Sequence, residues 1–411
     1  MLAPSIPAAA VQPSPCAAIS FRRSCRASPA QRIEIGFSMA CLGLLPWRLF
    51  SATRRRCTSS QPVLQLCFDI NKTIVMEDSS GRKSARALCN EALADGAWGS
   101  VRGGKWTWSG APMSLEAPEP GLVSYSAWVQ QLFPDIATDC TDSVRLRESR
   151  AALAEAKKAR DRLRGGFAEP GGAAPEEVAK MLEPLLKRLT IPNHSRKEIL
   201  KDRETWFLLP SFLAAIRQLF ESDILEEVRV GLHFRTFGED FCAVAREFNA
   251  FASGDHPLHP NFSSNALRHL DLEKRFGSYF RDADGPLLAL GPTDLTTCQS
   301  RKEAVEKAAA EGAVLVEGIQ AVHQKVREIS SSCQTWCFRD HWRYWRDRAE
   351  AADAGKLLTV DSSDDYHVMY VDDNARGPDG HIVDVRSATG LRLSWPEVLK
   401  TGHVVRAWPF A

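Results

Sequence analysis

From Val63 to Phe68 the chain reads Val-Leu-Gln-Leu-Cys-Phe, a nearly unbroken apolar stretch of strand length. Such runs mark strands buried on both faces, where no polar side alternates with the apolar one. The pattern returns at Val228–Phe234, at Leu287–Leu290 and at His367–Val371. Helical periodicity predicts helices near Ala85–Leu93, over Glu176–Leu189, over Thr205–Phe220, and over 301–311 and 316–330. The charged, alanine-rich stretch 145–164 predicts an exposed helix, and the Gly/Pro-rich stretch 165–175 after it reads as a flexible linker. A Trp- and Gly-rich patch lies at Trp98–Trp108. Apolar strands alternating with helices predict an α/β fold, a doubly wound, parallel, Rossmann-like sheet covered on both faces.

Composition narrows the class. The 411 residues are 44 % hydrophobic and 25 % charged, which excludes wholesale disorder. No apolar run is long enough for a spanning helix, so no membrane span is expected. Lys and Arg number 52 against 51 acids, so net charge gives no reason to expect nucleic acid as a partner. The near-cancellation hides an asymmetry. Residues 1–60 hold eight arginines, no lysine and one acid, Glu34, a net charge of +7 against −6 for the remainder. An Arg- and Ser-rich, acid-poor leader has the composition of a mitochondrial or chloroplast transit peptide, with a mature chain starting near Gln61. The alternative is an extension without an address on a cytoplasmic protein.

Four of the eleven cysteines lie in that leader, and the other seven show no CxxC spacing, which predicts reduced, mostly buried thiols. Cys333, Cys337 and His341 are spaced four apart and would share one face of a helix, as packing residues or, less readily, as zinc ligands. His256 and His259, in His-Pro-Leu-His-Pro, read as loop residues.

The chemistry gathers at strand ends. The first run ends in Asp69-Ile-Asn-Lys-Thr73, the second in Arg235-Thr236, and the last in Asp372-Asp-Asn374. In open parallel α/β sheets, ligands bind beyond the carboxyl ends of the strands. Carboxylates from two strands make a hard, oxygen-rich cation site suited to Mg²⁺. A Thr236 hydroxyl at a third strand end can bond a phosphate oxygen, and Lys356, just before the last strand, can offset phosphate charge. Taken singly, each of these residues is an ordinary turn former, strand-end hydroxyl or surface lysine. Lys302, beside Arg301 at a helix start, is the alternative lysine. Arg235 is either a partner for an anionic ligand group or one half of a surface ion pair.

Order and spacing of these segments resemble the haloacid dehalogenase-like (HAD) superfamily of phosphotransferases. Phe68-Asp-Ile-Asn-Lys-Thr73 stands for its first motif, Leu232-His-Phe-Arg-Thr236 for the second, Lys356 for the third and Tyr370-Val-Asp-Asp373 for the fourth. The resemblance implies that Asp69 is the nucleophile of an aspartyl-phosphate mechanism on a small phosphorylated substrate. It implies that Asp69, Asp372, the Asn71 carbonyl and, through water, Asp373 hold Mg²⁺, while Thr73, Thr236 and Lys356 hold phosphate. It divides the chain into the leader 1–60, a first core segment 61–81, an inserted cap region 82–205 and the rest of the core 206–411, with a second candidate insert at 239–285.

One position departs from the family. Its phosphatases carry a second Asp two residues after the nucleophile, which exchanges protons with the leaving group and water. Here that residue is Asn71, and a carboxamide cannot exchange a proton near neutral pH. General acid–base catalysis is worth about 10²–10⁴-fold. Three readings follow: a phosphohydrolase for substrates with good leaving groups, or borrowing Glu77 or Asp78; an impaired member that binds a phosphorylated ligand; and an interaction scaffold that uses the Trp98–Trp108 patch.

Overall fold

Val63–Asp69 forms strand β1, buried at all seven positions. It sits in a computed structural model that describes residues 61–407 except 79–82, 135–142, 193–202, 263, 265–266, 349, 362, 364 and 378, and gives 143–150 as backbone only. The leader, with its transit-peptide reading, and Cys140 lie outside the described residues.

The other strands are β2 (Trp98–Arg102), β3 (Lys105–Trp108), β4 (Val123–Ser124), β5 (Arg229–Thr236), β6 (Phe276–Asp282), β7 (Gly285–Leu290), β8 (Val314–Glu317), β9 (Thr335–Arg339), β10 (Lys356–Val360), β11 (Tyr366–Asp372), β12 (Val383–Ser387) and β13 (Val404–Arg406). Eight of them form one sheet in the order β13-β11-β1-β5-β9-β6-β7-β8. Pairing is parallel from β13 through β6 and antiparallel across β6-β7-β8. The molecule is thus α/β with a mixed, mostly parallel sheet, and the expected Leu287–Leu290 strand is an antiparallel hairpin arm.

Alternate residues of β1 enter different cores, which is why its sequence shows no polar face. Leu64, Leu66 and Phe68 join one cluster with Phe212 of the helix Pro210–Phe220, and Val63 and Cys67 join another with Val368 and Tyr370 of β11. The one polar interruption, Gln65, is satisfied internally: Ser330 Oγ donates to its Oε1 at 2.8 Å and the Tyr366 hydroxyl donates to the same atom. A buried polar group in such a network keeps its hydrogen bonds without water. Gly231 of β5 is required by closeness, since a Cβ there would lie 2.9 Å from the Ser330 backbone of the helix Ile319–Ser331.

Between β1 and β5 the chain builds the helices Ala85–Gly96, Tyr125–Leu132, Ser143–Gly165, Glu176–Ala179 and Leu182–Leu189 and the small antiparallel sheet β3-β2-β4. Several expectations are corrected here. The glycine-rich 165–175 stretch is packed rather than free, because Phe167 is fully buried and the Ala168 N–H donates to Asn90 Oδ1 at 2.6 Å. Its glycines serve tight turns. The Trp98–Trp108 patch is the β2–β3 hairpin, whose Trp106 is buried edge-on to Tyr125 and Phe167, so that ring is not a partner surface. Segment 239–285 is no separate insert, since it supplies the helix Phe241–Ala252 and the sheet strand β6. Cys333, Cys337 and His341 share no helix face, because Cys337 lies in strand β9 (Thr335–Arg339) while Cys333 precedes that strand and His341 follows it. Trp336, Cys337 and Phe338 form an apolar run too short to separate strand from helix by period. The predicted helix from Thr205 begins only at Pro210, and Glu176–Leu189 is broken into two.

The six described cysteines are free, four of them buried. Among the described residues, no helix is long and apolar enough to cross a membrane. His256 does lie in a turn, yet it is fully buried, with Nε2 3.2 Å from Glu247 Oε1.

Candidate functional site

β1, β5 and β11 lie side by side and run parallel, so their carboxyl ends converge. Asp69 ends β1, Thr236 ends β5 and Asp372 ends β11. Beyond β1 the chain turns tightly: the N–H groups of Ile74 and Val75 both donate to Ile70 O at 3.0 Å, and Lys72 takes a positive φ of 63°. That left-handed conformation is uncommon for a lysine and costs about 1–3 kcal/mol. Lys72 is held there by its ion pair to buried Glu91, at 2.8 Å. The turn brings Thr73 back over Asp69, to which its hydroxyl donates at 3.2 Å, and the Asp373 N–H donates to Thr73 Oγ1 at 3.0 Å. One threonine thereby ties the end of β1 to the end of β11.

Lys356 opens β10, a strand outside the main sheet that pairs with β12. Its ammonium reaches between the strand ends, donating to Asp69 Oδ1 and, at 2.9 Å, to Asp372 Oδ2. The carboxylate oxygens of Asp69, Asp372 and Asp373 lie within 4.8 Å of one another. Asp69, Asp372 and Lys356 are all buried. Three carboxylates gather around the Lys356 ammonium, with Lys72 acting on Asp373 from the side, so negative charge is in excess at the strand ends. Such an excess raises carboxyl pKa values, and a hard cation would relieve it.

Burial pushes the Asp69 carboxyl well above the usual range, with Lys356 pulling it down and Asp372 and Asp373 pushing it further up. Asp373 is raised to about 6 by burial, against the pull of Lys72 and with the push of Asp372. Burial works against charge on Lys356, but Asp372 and Asp69 outweigh it and hold its pKa well above the ordinary value. The lysine stays charged, and the carboxyls compete for protons or for a cation. Carboxylate oxygens from two strand ends are the hard donors that a divalent cation takes.

The Thr236 hydroxyl is bonded away from Asp69. It donates to Asn71 Oδ1 at 3.3 Å and accepts the Gly238 N–H at 2.8 Å. Asn71 is committed on its other side as well, since Nδ2 donates to Glu77 O at 3.2 Å and to Asp240 Oδ2 at 3.1 Å. Asn71→Asp would therefore set an acceptor against two acceptors, one of them a carboxylate. We expect a loss of about 1–3 kcal/mol in urea unfolding at neutral pH, largely recovered when Asp240→Asn restores a donor. A cycle of the four proteins with no coupling would show that this contact is not formed.

Arg235 takes neither expected role. It is buried, pairs with both oxygens of Asp340 and donates to Leu357 O at 2.7 Å, so it braces β5 against β9 and β10. Glu77 is occupied by Arg203 and by the Thr205 hydroxyl at 3.2 Å. Lys302 is a surface lysine, 85 % exposed and 3.8 Å from Glu306.

A cleft of about 530 Å³ opens over Asp69, Asn71, Thr236 and Lys356. Asp78 also lines it, and so do residues that the sequence reading missed: Phe237, Thr297, Arg339, Trp342, Arg343 and Trp345. Trp342 to Asp347 is a helix of six residues, too short for its period to be read. No family model, curated protein or solved structure matches the chain.

Proposed function

We propose that this protein is a Mg²⁺-dependent phosphohydrolase or phosphotransferase of the haloacid dehalogenase type, acting on a small phosphorylated molecule. The observation that carries the reading is the seat of Lys356. Its ammonium bridges Asp69 and Asp372, residues 287 and 16 positions away in sequence, beside a third carboxylate. A scaffold has no use for three carboxylates crowded around one buried ammonium, because burial of unbalanced charge is costly.

In this reading Asp69, Asp372, the Asn71 carbonyl and, through water, Asp373 would hold Mg²⁺, which would supply charge neutralisation for the phosphoryl group. Asp69 Oδ forms a bond to phosphorus as the bond to the leaving oxygen breaks, and water later cleaves the aspartyl-phosphate to release inorganic phosphate. Lys356 and Thr73 orient Asp69, and Lys356 offsets charge on the phosphoryl oxygens. Thr236 fixes Asn71 and faces the cleft. Asn71 has no proton to give, so the leaving group departs as its anion.

A second reading, a protein that binds a phosphorylated ligand without turning it over, is favoured by the hydrogen bonds that commit Asn71. The test is phosphate release by the full chain from an activated aryl phosphate and a panel of phosphorylated metabolites, with Mg²⁺ or with chelator. The expected result is release that needs Mg²⁺ and is lost in Asp69→Asn. Metal-dependent binding of inorganic phosphate without release would move the conclusion to the second reading. Neither binding nor release would overturn both.

A further inference from the structure

The far wall of the cleft is aromatic and carries an unused cation. Phe237, directly after Thr236, lies with its ring centroid 5.4 Å from Lys356 Nζ and stacks on Trp345 at 5.4 Å and 14°. Trp342 lines the same cleft and is 42 % exposed, high for so large an apolar ring, with Arg346 over its face at 4.8 Å. Arg343 also lines the cleft. It is half-buried and forms no hydrogen bond or ion pair among the described residues, whereas its neighbour in the wall, Arg339, is held by Asp294 and Glu239. A guanidinium half out of water without a partner suits an anion, which it can bind with paired, charge-assisted hydrogen bonds. An exposed indole in a concave site suits a flat ring.

The reactive end selects in the same direction. With Asn71 in place of a proton-exchanging acid, the leaving oxygen must carry off its electron pair unaided. A phenol, which ionises near pH ~10 as tyrosine does, leaves as its anion far more readily than an aliphatic alcohol.

Resting on the phosphohydrolase reading, we infer that the ligand is a phosphorylated phenol bearing a second anionic group: the phosphate lies at Asp69 and Lys356, the ring against Phe237 and Trp342, and the second anion on Arg343. The bond broken joins phosphorus to the phenolic oxygen; the phenoxide takes its proton from solvent and Asp69 takes the phosphoryl group.

Phosphonates, whose phosphorus–carbon bond this chemistry does not cleave, separate binding from turnover. Calorimetric titration of the full chain in Mg²⁺ would compare 3-carboxybenzylphosphonate, benzylphosphonate, cyclohexylmethylphosphonate and inorganic phosphate. We expect benzylphosphonate to bind about fivefold tighter than its cyclohexyl counterpart, and the carboxylated ligand about tenfold tighter again. Trp342→Ala should erase the first difference. Arg343→Gln should erase the second while leaving benzylphosphonate unchanged. Equal affinities for the three phosphonates, or variants that weaken all of them alike, would overturn this inference while phosphate binding left the functional reading standing. If inorganic phosphate and the phosphonates all fail to bind, the functional reading falls and this inference with it.

Discussion

Lys356→Met should destabilise the metal-free protein by about 3–5 kcal/mol, the cost of removing one partner from a buried ion pair. Methionine fills most of the space of the lysine stem, so the loss is that of the ammonium rather than of packing. What remains is three carboxylates within 4.8 Å, two of them buried, with no cation between them. Mg²⁺ should return part of the loss, because a ligand bound only by the folded state stabilises it by mass action. Asp69→Asn should behave in the opposite way. It removes one of the crowded negative charges and leaves Lys356 paired with Asp372, so metal-free stability should match or exceed that of the parent. On the phosphohydrolase proposal, both variants should also lose metal-dependent phosphate release, by about 10²–10³-fold or more. Urea unfolding in chelator and in Mg²⁺ reads both effects. A Lys356→Met protein as stable in chelator as its parent would mean that the ammonium does not offset the cluster.

These residues were legible before any coordinates because their chemistry sits at the ends of strong signals. Asp69, Thr236 and Asp372 each close a buried apolar run, and the parallel sheet does the gathering. Lys356 was harder, since its strand is short and belongs to another sheet; its place among the carboxylates comes from the tertiary fold. Where local signals were ambiguous, the reading failed for identifiable reasons. Glycine and proline at 165–175 mark turns, but composition does not report that Phe167 anchors them in the core. The Trp336–Phe338 run was compatible with helix or strand until its neighbours β5 and β6 were known. The partner of Asn71, Asp240, lies 169 residues away, and no spacing rule reaches that far. Arg235 read as an anion partner, because it adjoins Thr236, or as half of a surface ion pair; alternation along β5 turns it to the other face of the sheet, where it pairs with Asp340 in the interior.

Mild acid should destabilise this protein through histidines that its core holds neutral. His233 is fully enclosed, and burial, aided by Arg235, pushes its pKa down to about 3. His341 is depressed to about 4 by burial, the Arg281 and Arg343 charges adding to the effect against a hydrogen bond to the Arg281 backbone. Its Nδ1 accepts the Arg281 N–H at 3.0 Å, a bond that protonation of that nitrogen would break. Both rings ionise near ~6.5 when the chain is unfolded. Below that value the unfolded state binds more protons, so stability falls as pH falls. By pH 5 the two rings together remove about 4 kcal/mol, a large part of the ~5–15 kcal/mol that holds a domain folded. Asp373 acts with the opposite sign. Its folded pKa, near 6, lies above the unfolded one, so its protonation between pH 6 and 4 favours the folded metal-free protein. Mg²⁺ in the cluster would keep that carboxylate ionised and cancel the compensation. Denaturation midpoints should therefore drop between pH 7 and pH 5 in chelator, and drop further over the same interval in Mg²⁺. A midpoint that does not move in either condition would mean that the two histidines are not held neutral in the core, and a smaller drop in Mg²⁺ than in chelator would mean that the acidic cluster does not take the metal.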